Sequence, residues 1–353
     1  MATAGEGIPD WPWAQGRCSL SNRDQLAVKN KEGIQAAWVR LNAMKLLRRF
    51  GPLLGLLILS AALSVVSPYF LTWDNILNIF RQSAVNGLLS LGQLVVILTA
   101  GIDLSVGSIL GVCTVVFAMT VKAGAPAVIG FAASLACGLA LGLINGFLLT
   151  GLKLPHPFVS TLGMMNVARG AAMLLSGGFP IPDLPAGARY PGAASVAGIP
   201  IQVIIMLATF GFFGFLLRHT VFGRDIYAIG GNPEASRLAG IAVNARLNAV
   251  YGISGLLAGL AALLLAGRMN AGFPLAGTGA ELDSIAAVII GGASFFGGVG
   301  TVSGVLIGAL IIAVLRNGLN LLNVSTHWQM VVIGIVIIWA VWVDVLRRRG
   351  ENR

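Results

Sequence analysis

Runs of about twenty apolar residues recur along most of this chain of 353 residues. In hydrocarbon no water pairs with the backbone, so a segment of that length must satisfy its own N–H and C=O groups, and the α-helix does so. Only 10% of the residues are charged and the mean hydropathy is +0.86, against about 25% charged in an ordinary soluble domain. The fold class is therefore all-α, a polytopic transmembrane helical bundle of about ten spans with short or broken segments. The spans fall near 50–67, 84–101, 106–122, 126–150, 157–177, 199–217, 247–267, 282–294, 301–316 and 327–346. The eighth is short enough to be a half-span. Forty-seven glycines suit close helix–helix packing.

A net charge of +10 would fit nucleic acid in a soluble protein, but seventeen of the 23 Lys and Arg sit in four clusters beside apolar runs. They lie in the N-terminal 49 residues, at Lys153, at Arg218, Arg224, Arg237 and Arg246, and at the tail Arg347, Arg348, Arg349 and Arg353. That is the positive-inside pattern. With the N-terminus inside, six spans place the 218–246 loop in the cytosol and an even total returns the C-terminus there. The basic charge thus reports topology, with no nucleic-acid partner. Residues 1–45 read as a cytosolic tail with no signal peptide, 46–346 as the transmembrane domain and 347–353 as a cytosolic tail. The longer outside loops are 67–83, 178–200 and 268–281, the second an ordered loop too short to bury a core.

Asp103 is the polar centre of the membrane sequence, standing in Gly101-Ile102-Asp103-Leu104-Ser105-Val106-Gly107 between two apolar runs. A carboxylate near mid-bilayer costs at least about 2.5 kcal/mol on insertion scales. Flanking glycines let the backbone bend and other backbone approach. The segment reads as a break where a transporter handles solute, with Gly101, Asp103, Ser105 and Gly107 as candidates for the path or gate. The structural alternative is a carboxylate that accepts hydrogen bonds from the amides of Ser105 and Val106.

In the cytosolic loop, Gly230-Gly231-Asn232-Pro233-Glu234-Ala235-Ser236-Arg237-Leu238-Ala239-Gly240 draws a short helix. Asn232 is an N-cap, Pro233 suits the first position, Glu234 complements the positive helix end and Gly240 suits the left-handed residue that ends it. So short a helix needs something to pack against: a cytosolic partner, or its own protein and the lipid headgroups. Outside, Glu281 and Asp283 stand at the start of span eight, either capping it or offering an external docking surface.

Glycines spaced by four occur at Gly107/Gly111, Gly138/Gly142/Gly146, Gly255/Gly259 and Gly300/Gly304/Gly308, for packing within the chain or for a dimer seam. A weak repeat relates Val106–Val112 to Val299–Val305, and Val95-Val96-Ile97 to Val288-Ile289-Ile290 at the same offset. Catalytic constellations are missing. With no Gly-Lys dipeptide there is no Walker A loop, and Cys18, Cys113, Cys137, His156, His219 and His327 show no metal spacing. The chain is expected not to be an enzyme and to bind no metal or cofactor.

Gly101–Leu110 (GIDLSVGSIL) and Gly230–Ile241 (GGNPEASRLAGI), together with Glu281–Gly298, Asn317–Leu322 and the last span ending in Asp344, resemble the permease subunits of monosaccharide ABC importers of the ribose/xylose/galactose group. The likeness runs from about Leu53 to Asp344 and is nearest to ribose permeases. It implies a ten-span importer fold in a bacterial inner membrane, a homodimer with the path on its two-fold axis, and an ATPase partner, usually two fused domains, that carries ATP and magnesium. It also implies a periplasmic sugar-binding protein, and a coupling role for the loop with Gly230, Gly231, Asn232, Pro233, Glu234, Arg237 and Gly240. Alternatives are a nucleoside, autoinducer or branched-chain amino-acid cargo, or an ion-coupled secondary transporter, which would want more than one membrane carboxylate.

Overall fold

The computed structural model describes residues 51–351, so the expected tail 1–45 and the last two residues lie outside the described residues. Helices occupy all ten expected positions: α1 (Gly51–Val66), α2 (Trp73–Leu98), α3 (Val106–Lys122), α4 (Ala127–Thr150), α5 (Pro157–Ser176), α7 (Ile201–His219), α10 (Val243–Met269), α11 (Ala280–Ile290), α12 (Val302–Leu321) and α13 (Thr326–Glu351). Three more lie between spans: α6 (Ala186–Ala193), α8 (Val221–Gly231) and α9 (Pro233–Leu238). Six of these helices are both long and apolar enough to cross a membrane. Of the other four positions, α1 and α3 are shorter apolar helices, α11 is short, and α2 is polar in its first half.

Helix α2 begins at Trp73, well before the expected 84. An apolar scan passes over its first three turns because Asp74, Asn75, Asn78, Arg81 and Gln82 sit in them. They are helical because the chain gives them partners. Asn75 donates to the Phe70 carbonyl (2.8 Å) and exchanges hydrogen bonds with the Asn317 amide (3.0 and 2.7 Å), stapling α2 to α12. The supposed outer loop 67–83 shrinks accordingly. At the other end of the chain, α13 continues through the basic cluster to Glu351.

Helix α10 lies at the centre, buried on nearly all sides, while α13, α4 and α5 leave most of their residues only partly buried or exposed, as an outer layer. Ile335, Ile338, Trp339 and Trp342 on α13, and Val128, Ile129 and Phe147 on α4, face outward and suit lipid. Glycines bring α4 against α10. A Cβ on Gly138 would strike the Gly255 carbonyl, one on Gly142 the Tyr251 carbonyl, and one on Gly146 would stand 2.7 Å from the Asn248 Cα. Gly304 and Gly308 press on the Gly291 and Ala287 carbonyls in the same way. These spaced glycines serve packing within the chain.

Span eight is short because a different kind of backbone does the rest of the crossing. After α10, β4 (Ala271–Gly272) pairs antiparallel with β1 (Ile181–Pro182), and β2 (Ser195–Val196) pairs with β3 (Ile199–Pro200) in the 178–200 loop. The chain then runs without regular structure from Phe273 to Gly279 alongside α3. The Phe273 amide donates to Thr114 Oγ1 (3.1 Å), and Cβ atoms on Gly111 and Gly107 would meet the carbonyls of Ala276 and Gly277. Arg169 of α5 donates to the carbonyls of Pro274 (2.6 Å) and Ala276 (2.9 Å). Irregular backbone survives at such depth when protein donors satisfy its carbonyls.

The two halves of the weak repeat share an architecture. Val95–Ile97 is the last turn of α2 and Val288–Ile290 the last turn of α11. Each is followed by an irregular link and then by a second helix, α3 or α12.

Candidate functional site

The break between α2 and α3 is a knot of hydrogen bonds. Helix α2 ends with Ala100, not a glycine, in the left-handed conformation (φ 60°), its amide bonded to the Ile97 carbonyl. Gly101 is small for another reason: a Cβ there would stand 2.7 Å from the Tyr251 hydroxyl. Asp103 is fully buried. Its Oδ1 accepts from the Ser105 amide (2.9 Å) and the Ser105 hydroxyl (2.6 Å), while Oδ2 accepts from the Ser254 hydroxyl of α10 (2.8 Å). The expected bond from the Val106 amide is replaced by these two side-chain donors. Ser105 Oγ in turn accepts from the Asn145 amide of α4 (2.8 Å). Gln93 of α2, with its amide turned to suit its neighbours, bonds both to the main-chain carbonyl of Asp103 (3.0 Å) and to its amide (3.2 Å). Thr161 of α5 reaches the Ile102 carbonyl (3.3 Å).

Four helices therefore meet on one buried link. Asp103, Ser105, Gln93 and Asn145 are wholly buried, so in this conformation the carboxyl faces no open cavity and holds the break together. The partners Gln93, Asn145 and Ser254 escape sequence reading, since each is a lone polar residue in an apolar run. Gly107 is the second residue of α3 and packs against Gly277 and Glu281.

On the opposite motif the capping logic is realised. Asn232 Oδ1 accepts from the Ala235 amide (2.9 Å), Pro233 takes the first position of α9 and Gly240 has φ 84°. Glu234 pairs with Arg237 at 2.5 Å, both largely exposed. Ser236 is the one buried residue of α9, whose remaining residues are exposed.

What sequence reading lacked is α8. Its buried residues Gly223, Ile226 and Ile229 seat it on the bundle, and Arg246 of α10 pairs with its Asp225 at 2.7 Å. Tyr227 donates to the Gly300 carbonyl (2.7 Å). Gly230 is pressed so close that a Cβ would strike the Leu98 carbonyl, which accepts from the Gly298 amide (3.0 Å). A Cβ on Gly297 would stand 2.8 Å from the Ala100 amide nitrogen. The α8–α9 pair thus touches, backbone to backbone, both the end of α2 and the link between α11 and α12. Asp344 of α13 accepts from Ser294 Oγ (3.2 Å) and the Phe295 amide (3.3 Å) in that same link.

The two outer carboxylates are placed differently from a surface pair. Asp283 is buried and gripped by Arg316 of α12, with Nε to Oδ2 at 2.9 Å and Nη2 to Oδ1 at 2.8 Å. Glu281 is half-buried beside Gly107 and near Arg169. Asp283 is thus held mostly inside the protein, while Glu281 stays partly exposed. A bidentate partner more than thirty residues away leaves no local sequence signal.

Among the described residues no group of His, Cys, Asp and Glu is arranged to hold a metal ion. The apolar outer helices, the broken central segments and the short α8–α9 helix pair define a multi-pass membrane transport component. The chain belongs to the family described as branched-chain amino acid transport system / permease component, which matches residues 75–341. It is 44% identical over 299 residues to the ribose import permease protein of Escherichia coli (strain K12), covering 83% of this chain and 92% of that protein. It is 43% identical over 317 residues to the ribose import permease protein of Bacillus subtilis (strain 168), covering 89% and 98%. The D-allose transport system permease protein of Escherichia coli (strain K12) is 43% identical over 302 residues, covering 84% and 92%. No solved structure matches the chain. The chain is the membrane permease subunit of an ABC importer, a multi-pass inner-membrane protein, and its family implies an ATPase and a periplasmic binding protein as partners.

Proposed function

We propose that this permease imports a monosaccharide, ribose or a close relative, as a homodimer with both termini in the cytosol. The observation that carries the cargo is the likeness to ribose permeases over almost their whole length, with allose, L-arabinose and fructose permeases among the further relatives. ATP and its magnesium ion belong to the ATPase subunit, since this chain has no Gly-Lys dipeptide with which to build a phosphate loop.

The contacts support a mechanism. The exposed part of α9 seats in the ATPase, and closure of the ATPase dimer pushes on it. Helix α8 passes the push to the Leu98 carbonyl and to the Gly297–Gly298 link, because no side chain stands between them to yield. Those two points are the cytosolic ends of α2 and α11, so both broken elements shift together and the path opens on one side at a time. Asp103 keeps the α2–α3 link intact through this movement, which supports a positioning role beside the path.

The test is uptake into proteoliposomes holding the permease and ATPase with the binding protein added. Radiolabelled ribose or allose should accumulate with ATP. Uptake of leucine or a nucleoside in place of any monosaccharide would overturn the cargo reading.

A further inference from the structure

A cavity of about 370 Å³ opens between the first half of α2, the start of α11 and the end of α12. Its α2 wall carries Asn78, Gln82 and Asn86, spaced by four and so aligned on one face of the helix. Opposite them stand the Asp283–Arg316 pair and Thr278. Leu89 and Ile312 add an apolar floor.

Most amide side chains elsewhere in the bundle make at least one side-chain hydrogen bond, although Asn145 Oδ1 and Gln202 Oε1 are also buried without a partner among the described residues. Asn75 pairs with Asn317, Gln329 with Asn320, Asn145 with Ser105 and Gln93 with the main chain of Asp103. Those facing the cavity differ. Asn78 and Gln82 make no side-chain hydrogen bond among the described residues, and Asn86 Oδ1, itself buried, has no partner among them. A buried acceptor left unpaired is costly unless a ligand or water completes it. Asp283 is balanced by Arg316, and Arg268 at the rim turns toward the Arg81 carbonyl (3.4 Å). The wall therefore offers paired donors and acceptors with its carboxylate already neutralised.

We propose that this cavity is a solute-binding station on the import path, taking a small neutral polyol whose hydroxyls bridge the α2 amides and the Asp283–Arg316 pair. The volume lies in the range of small-molecule pockets, and a sugar ring presents an apolar C–H face to the floor and hydroxyls to the wall. On the orientation proposed above, the station lies in the outer half of the membrane, between the binding protein and the break at Asp103. It rests on the monosaccharide reading, and it assigns two of the cargo's contacts, Asn78 and Gln82, to a segment that sequence analysis left as an outer loop.

The test compares wild type with Asn78→Leu, Gln82→Leu and Asn86→Leu in the reconstituted transporter, reading sugar uptake and binding-protein-stimulated ATP hydrolysis together. Losing one or two hydrogen bonds to the solute should lower uptake about tenfold while stimulated hydrolysis persists, because the cytosolic contacts are untouched. Gln82→Asn should recover part of the uptake. Asn78→Leu, at an exposed position, guards against a variant that fails to fold. Wild-type uptake rates in all three Leu variants would overturn the station. If the wild type carries leucine and not sugar, and the same variants lose that uptake, the cavity stays on the path and the monosaccharide reading alone falls.

Discussion

Asp103 offers the sharpest test of whether a buried carboxyl positions the helix break or works by its charge. Its two oxygens accept three hydrogen bonds, at 2.9 and 2.6 Å from Ser105 and 2.8 Å from Ser254. Asp103→Leu removes every acceptor and strands two serine hydroxyls and one amide in a fully buried site. At about 1 to 1.5 kcal/mol per stranded donor, the loss is roughly 3 to 5 kcal/mol. Bonds between membrane helices average only about 0.6 kcal/mol when measured in pairs, so the lower end is the safer expectation. Asp103→Asn keeps Oδ1 for Ser105, and the Ser254 hydroxyl can rotate to accept from the new amide, for a cost of about 1 kcal/mol. The assay is thermal unfolding of detergent-solubilised permease, followed by size exclusion, alongside uptake per folded molecule. A positioning role predicts that Asn is nearly as stable as wild type and transports, while Leu melts far earlier. Wild-type stability in the Leu variant would refute the hydrogen-bond argument. A stable Asn variant without uptake would refute the view that Asp103 acts by position alone.

Three further outcomes follow from other contacts. Gly230→Val should break the seat of α8 on the Leu98 carbonyl, and Gly240→Val should strain the end of α9, where φ is 84°. Both should insert normally yet lose at least about tenfold in ATP-driven uptake, and unchanged uptake would remove the coupling role. Arg316→Ala leaves Asp283 buried without its partner and should destabilise by about 3 to 5 kcal/mol, whereas the double variant Arg316→Met with Asp283→Leu should recover much of that in a melting experiment. For topology, single cysteines at the exposed positions Val196 and Ala235 of a Cys-free background should label from outside and inside respectively. Labelling of the Ala235→Cys form by an impermeant reagent in intact cells would invert the orientation.

The ten helix positions were legible because hydrocarbon leaves the backbone little choice, and α3 falls on its expected residues, 106–122. The capped α9 was legible because Asn232, Pro233 and Gly240 act within one short stretch. The first half of α2 was not, since its polar residues are helical through partners such as Asn317, far away in sequence. The same holds for Asp283, whose burial depends on Arg316, and for the irregular Phe273–Gly279 segment, whose Pro274 and Ala276 carbonyls are satisfied by Arg169. Period and composition report what a segment does with its own atoms. Long-range pairs need the fold.

The contact of Gly230 with the Leu98 carbonyl, beside Gly297 and the Ala100 nitrogen, has a mechanical consequence. Side chains are soft couplers, because a rotamer can flip and absorb a displacement of an ångström. Peptide planes joined by covalent geometry cannot. The C-terminal end of α8 therefore bears on the bundle as a rigid strut, and under the proposed coupling role a push at α9 would arrive at two crossing elements with almost no backlash. On the coupling role proposed above, the stiffness of that joint would set how small a movement of the ATPase suffices to be felt across half the membrane.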